Sequence, residues 1–278
     1  MKRTTVVKIL VLTGVVALAG LTLENAWSQN AAAPVPVVPK PLDRAKAKEK
    51  YGTGQGYTMF WSFDKDEAGQ VPKGWKPAQT GQGTLGKWQV IQDPDGSQLG
   101  RVVALVETKN KGNTLNLLLA ESPKVQDLCL QVDFKILGGS EDRGAGIVWR
   151  AQDGDNYYLA RWNVGENFRV YVTKDGKRKL LAEAKMEFDP GVWHELEIKH
   201  NGNHILAELD EADLIDVEDA TLAGPGMVGL WTKADATTAF DDVRLSETKA
   251  APAKPAGADA GQPGGKDAAP GPAKPKTP

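Results

Sequence analysis

Residues 144–181, GAGIVWRAQDGDNYYLARWNVGENFRVYVTKDGKRKLL, read as four consecutive β-strands joined by the tight turns AQDGD, NVGEN and KDGK. Two of these turns carry Asp-Gly, a pair that tolerates the positive φ a hairpin turn demands. Each strand alternates a compact apolar set with a set rich in Arg, Tyr and Lys. Successive side chains of a strand point to opposite faces, so one face is built to pack and the other to meet water or a ligand.

The same period of two recurs on both sides of this stretch. Segments such as KWQVIQ, RVVALVE, TLNLLLA, DLCLQVDFKIL, VWHELEIKH, HILAELD, MVGLWTK and TAFDDVRL give about fourteen short strands at intervals of about twelve residues. No segment carries a sustained helical period. The expected fold is an all-β, two-sheet antiparallel jelly-roll sandwich over residues 57–247. In DLCLQVDFKIL the set Leu128, Leu130, Val132, Phe134 and Ile136 is expected to face the core. In NYYLARWN the core set is Tyr158, Ala160 and Trp162, and in FRVYVT it is Phe168, Val170 and Val172. If these strands neighbour one another, Asp133, Lys135, Arg150, Tyr157, Arg161, Arg169 and Tyr171 share an exposed sheet surface. Aromatic plates beside charged hydrogen-bonders suit carbohydrate, whose CH faces pack on rings while its hydroxyls take directional hydrogen bonds. The same residues also suit a solvated face held by cross-strand pairs. Trp231, opposite in parity to Val228 and Leu230, is either a stacking platform on that surface or a filler of the core edge.

The flanks read differently. Lys2 and Arg3, an apolar run over 6–23 and Ala26-Trp27-Ser28 form the pattern of a secretory signal peptide over 1–28. The expected location is therefore periplasmic or secreted, and a membrane association follows only if that segment stays uncleaved. Residues 29–56 read as a proline-rich linker, and 248–278, made almost wholly of Ala, Pro, Gly and Lys, as a disordered tail. Net charge is −2, with both signs interspersed and no basic stripe, which argues against a nucleic-acid partner. The single cysteine, Cys129, has no disulfide partner in the chain, so stability must come from the core.

The elements W-x-FD-x-D-x-x-G-x-x-P-x-GW (residues 61–75), GIVWRAQDGDNYYLARWN, GVWHELEIKHNGN and GMVGLWTKADATTAFDDVRL occur in that order. Together they resemble the concanavalin A-like lectin/glucanase superfamily, nearest to exported bacterial domains of the laminin-G-like and 3-keto-disaccharide hydrolase type. The resemblance implies a jelly roll whose concave sheet face binds a glycan or small sugar. It also implies an alternative, a 3-keto-glycoside hydrolase using an acid such as Asp133 with the arginines polarising a carbonyl. A third alternative is an interaction module with no ligand. The resemblance further suggests a structural calcium where the domain's termini meet, at Asp64 with Asp241 or Asp242. Two departures stand out. Arg143-Gly144-Ala145-Gly146 replaces the Asn-Ser-Gly-type segment of many hydrolase members, and Glu208-Leu209-Asp210-Glu211 lacks the third spaced acid of the laminarinase-type glycosidases. His200 and His204 flank a hairpin turn and lack a third metal ligand, and His194 is expected on the packed face.

Overall fold

The computed structural model describes Asp43, residues 57–96 and residues 100–248. The signal, linker and tail segments read from the sequence lie outside these residues, apart from Asp43 and Thr248. Fifteen strands follow in chain order: β1 (Met59–Trp61), β2 (Trp75–Thr80), β3 (Lys87–Gln92), β4 (Arg101–Glu107), β5 (Leu115–Ala120), β6 (Leu128–Gly138), β7 (Gly144–Ala151), β8 (Tyr157–Asn163), β9 (Phe168–Lys174), β10 (Lys177–Ala184), β11 (His194–Asn201), β12 (His204–Leu209), β13 (Ala212–Glu218), β14 (Met227–Lys233) and β15 (Thr237–Glu247). They form two antiparallel sheets. One holds eight strands in the order β13-β12-β11-β6-β15-β4-β3, with β1 also on β15; the other holds seven, β10-β9-β8-β7-β14-β5-β2. The expected all-β sandwich is the observed one.

Alternation decides what goes between the sheets. Strand β11, HELEIKHN, is buried at every second residue. From β6 the core takes Leu128, Leu130, Val132, Phe134 and Ile136, and from β8 Tyr158, Ala160 and Trp162, as the parity of the sequence requires. These meet Trp149, Phe168, Val170, Val228, Leu230, Phe240 and Leu245 in one continuous apolar layer.

Strand β2, WKPAQT, was not anticipated, because Pro77 has no N–H to give to a ladder. It lies at the edge of the seven-stranded sheet, paired only with β5, where the missing donor faces no second strand. The histidines settle into structural roles. His194 is buried and hydrogen-bonded at both ring nitrogens, to Asp210 Oδ2 at 2.6 Å and the Asp189 carbonyl at 2.8 Å. His200 Nδ1 accepts from Trp149 Nε1 at 2.8 Å, while His204 lies on the surface with Asp216.

Candidate functional site

The two sheets divide the residues that the sequence placed on one surface. Asp133 and Lys135 belong to β6 in the eight-stranded sheet, whereas Arg150, Tyr157, Arg161, Arg169 and Tyr171 belong to β7, β8 and β9 in the seven-stranded sheet. The reason is the connection between β6 and β7. It crosses from one sheet to the other, so these sequence neighbours are not hairpin partners. Lys135 pairs with Asp95. Asp133 is fully buried and accepts from Arg244 at 2.6 Å, and the same guanidinium nitrogen reaches Glu195 at 2.5 Å. Burial pushes the Asp133 carboxyl up to about 7, against the pull of Arg244. An acid on one sheet and arginines on the other do not form the acid–arginine couple expected for a hydrolase.

Arg150 is a further correction. The residue has φ 47, off the extended strand, and the side chain is completely buried. Its guanidinium donates to the Gln126 carbonyl at 2.7 Å, the Gly202 carbonyl at 2.9 Å, the Leu222 carbonyl at 3.1 Å and Asp127 at 3.2 Å. It ties three connecting segments together at one end of the sandwich and has no exposed surface to offer a ligand. Tyr157 is also buried, with its hydroxyl 2.7 Å from Thr80 Oγ1. Trp231 is buried in an apolar cluster on the outer face of the seven-stranded sheet, with Leu117, Leu119, Val148 and Leu159.

The acids expected as calcium ligands lie just after β1 and within β15, two strands that pair with each other. Asp64 accepts the backbone N–H of Arg101 at 2.9 Å. Asp241 stands opposite Asp133 in register, and Asp242 is buried within the field of Arg244. Among the described residues, no three His, Cys, Asp or Glu side chains converge on one point.

What does converge is the polar end of the seven-stranded sheet. Arg161 and Arg169 stand opposite each other across β8 and β9, as do Leu159 and Tyr171. The turn at residues 164–167 brings Glu166 back over this pair. Its carboxylate accepts from Arg161 at 2.7 Å and from Arg169 at 3.1 Å. Partial burial opposes ionisation of Glu166, but Arg161, Arg169 and Lys233 together outweigh it and hold the carboxyl below its usual range. Arg169 also pairs with Glu183 at 2.8 Å, and the Arg161 guanidinium donates to the Tyr171 hydroxyl at 3.2 Å. The Tyr171 ring lies 5.6 Å from the Arg161 guanidinium carbon and 5.3 Å from that of Arg178, within cation–π reach.

Beside this network is a polar cleft of about 200 Å³ lined by Ser140, Glu141, Asp142, Arg143, Asn163, Val164 and Glu166. Its far wall is held by Asp235, whose carboxylate accepts the backbone N–H groups of Ser140, Glu141 and Asp142 at 2.7 to 2.9 Å. Despite some cost of burial, the Ser140 hydroxyl and these N–H groups hold Asp235 well below the usual carboxylate range. Asp142 in turn receives Asn163 and Lys233, each at 2.6 Å. Sequence reasoning missed Glu166, Asn163 and Asp142. The available signal was the turn NVGEN, which joins two strands whose arginines share one parity and so returns Glu166 to their side.

Two antiparallel sheets around a single apolar layer define a concanavalin A-like β-sandwich. The chain belongs to the 3-keto-alpha-glucoside-1,2-lyase-like domain family, whose model matches residues 62–246. Among curated proteins, none matches the chain in sequence. Among solved structures, the carbohydrate-binding module CBM66 from Bacillus subtilis superposes with a TM-score of 0.50 at 21% identity, covering 63% of this chain and 96% of that one. Domain 4 of AbnA, a GH43 extracellular arabinanase from Geobacillus stearothermophilus, gives 0.48 at 10% identity over 69% and 92%. A Bacillus subtilis protein with a galectin-like fold gives 0.46 at 8% identity over 69% and 96%.

Proposed function

We propose that this domain binds a neutral sugar at the polar end of the seven-stranded sheet and does so outside the cytoplasm, after removal of residues 1–28. The observation that carries the reading is the convergence of Arg161, Arg169, Tyr171 and Glu166 beside a cleft lined by further polar groups. Guanidinium groups donate to sugar hydroxyls, Glu166 accepts from them, and the Tyr171 ring offers an apolar plate. Charges of both signs stand together here, Arg161, Arg169 and Arg178 beside Glu166 and Glu183, which favours an uncharged, hydroxyl-rich ligand over an ion. The name of the CBM66 module supports the same reading, and the family description points to an α-glucoside.

Titration calorimetry with methyl α-D-glucoside and maltose tests it. Arg169→Ala, at a partly exposed side chain, is expected to weaken binding at least tenfold. Its effect on stability should stay within about 1 kcal/mol, as for exposed ion pairs. Unchanged affinity in this variant would remove the site from consideration.

The family description favours a second reading, cleavage of a 3-keto-α-glucoside. The carboxylate beside the arginines is Glu166, held ionised, so a base role falls to it and not to Asp133. Turnover of a 3-keto-α-glucoside that is lost in Glu166→Gln and kept in Asp133→Asn would establish this reading.

A further inference from the structure

A second and larger cleft lies just beyond the arginine network. It measures about 510 Å³, within the range of small-molecule sites, and is bounded by the turn at residues 164–167 and by residues 185–188. We propose that this cleft is a second sugar subsite, so that the ligand is a chain of at least two sugar units that passes over Glu166. The inference rests on the sugar-binding reading of the sheet face and extends it.

The floor is aromatic. Phe188, half-buried, is the ring open to the cleft; Trp162, almost wholly buried, packs against it with ring centroids 3.7 Å apart, and half-buried Val164 and buried Met186 complete the apolar part. The floor is also held from behind. Phe188 packs on His194 at 4.1 Å and on Phe134 at 6.1 Å, and the His194 ring is fixed at both nitrogens. A pre-set ring costs little to order when a ligand arrives.

The rim is polar and of mixed sign. Glu166 and Glu187 accept, and Lys185 and the Asn167 amide donate. An anion would meet the two carboxylates and a cation would meet Lys185, whereas a polyol can satisfy all four groups. An apolar ring under such a rim is the arrangement that a pyranose or furanose ring fills, with its CH face down and its hydroxyls outward.

The two clefts are also joined physically. Val164 and Glu166 line both of them. The Asn167 carbonyl accepts from Arg161 at 3.4 Å, so the turn between the clefts is tied to the arginine pair. A sugar on the sheet face therefore leaves its next unit directed over the 164–167 turn and into the larger cleft.

The test is titration calorimetry of the full chain with methyl α-D-glucoside, maltose and maltotriose. Maltose and maltotriose are expected to bind at least tenfold more tightly than the monosaccharide. Lys185→Ala with Glu187→Ala, both at exposed positions, is expected to bring the longer sugars down to the monosaccharide affinity and to leave methyl α-D-glucoside unchanged. Arg169→Ala is expected to weaken all three together. Equal affinities across the series, or a Lys185/Glu187 variant that binds maltotriose as wild type does, would overturn the second subsite and leave the sheet-face reading standing. Failure of all three sugars to bind the wild-type chain would overturn both.

Discussion

Two arginines nineteen positions apart show how little the residue type alone decides. Arg150 and Arg169 both fall at polar positions of an alternating strand, yet one is a buried tie and the other stands at the surface. Alternation tells which way a side chain starts. It does not tell whether the backbone keeps strand geometry at that residue, and Arg150 sits at φ 47 beside a register shift between β7 and β14. Removing it empties a fully buried side-chain site and takes the donor from three partly buried carbonyls and Asp127. Arg150→Ala is expected to cost about 3–5 kcal/mol in urea unfolding, the range for breaking a buried charged network. Sugar affinity measured below the transition should stay at the wild-type value. Loss of affinity with little loss of stability would reverse that assignment. At Cys129, half-buried in β6, the surroundings have a chemical consequence. Burial and then the charge of Glu197 push the thiol up to about 12, so the thiolate is scarce at neutral pH. Iodoacetamide at pH 8 is expected to leave the folded chain unmodified over a period that fully alkylates it in urea.

At the scale of elements, hairpins were legible and edges were not. Asp-Gly turns and unbroken alternation marked β7 to β10 plainly, since both signals are local. Strand β2 escaped because Pro77 breaks the local rule, and only its place at the sheet edge makes the proline acceptable. The glycines of β7 are a second tertiary effect. A Cβ on Gly146 would come 2.6 Å from the Ala160 carbonyl oxygen and 2.8 Å from Arg161 Cβ, both on the neighbouring strand. The contact with backbone cannot be relieved by a rotamer change. Gly146→Ala is therefore expected to destabilise the fold by about 1–3 kcal/mol, as overpacking does. Because one of the displaced atoms is Arg161 Cβ, sugar binding should weaken in the same variant. A melting temperature equal to wild type would show that β7 and β8 part more easily than their pairing implies.

For the whole molecule, the sequence could order strands into a sandwich but could not distribute them between sheets, and that is where the predicted surface came apart. No local signal distinguishes a connection that turns back beside its strand from one that crosses the sandwich, as between β6 and β7. The crossing places Asp133 in one sheet and leaves Arg161 and Arg169 in the other. It also leaves two buried titratable groups whose effects on stability oppose each other. The Asp133 carboxyl, pushed up by burial to about 7, holds its proton in the folded chain at pH values where the unfolded chain has lost it. Its contribution is fully present below about pH 4 and is lost as pH rises through 7. His200 is pushed down by burial, and then by Arg150, to about 3. The unfolded chain binds that proton first, so the contribution of His200 is present above about pH 6.5 and is lost as pH falls towards 3. Between about pH 4 and 6.5 the two slopes have opposite signs, and the wild-type melting temperature should change little across that window. Asp133→Asn should leave a melting temperature that climbs from pH 4 to 6.5. His200→Gln, which retains an acceptor for Trp149, should leave one that falls as pH rises towards 7. Scanning calorimetry of the three proteins at half-unit steps reads these slopes directly, and parallel curves for all three would show that neither group titrates with folding.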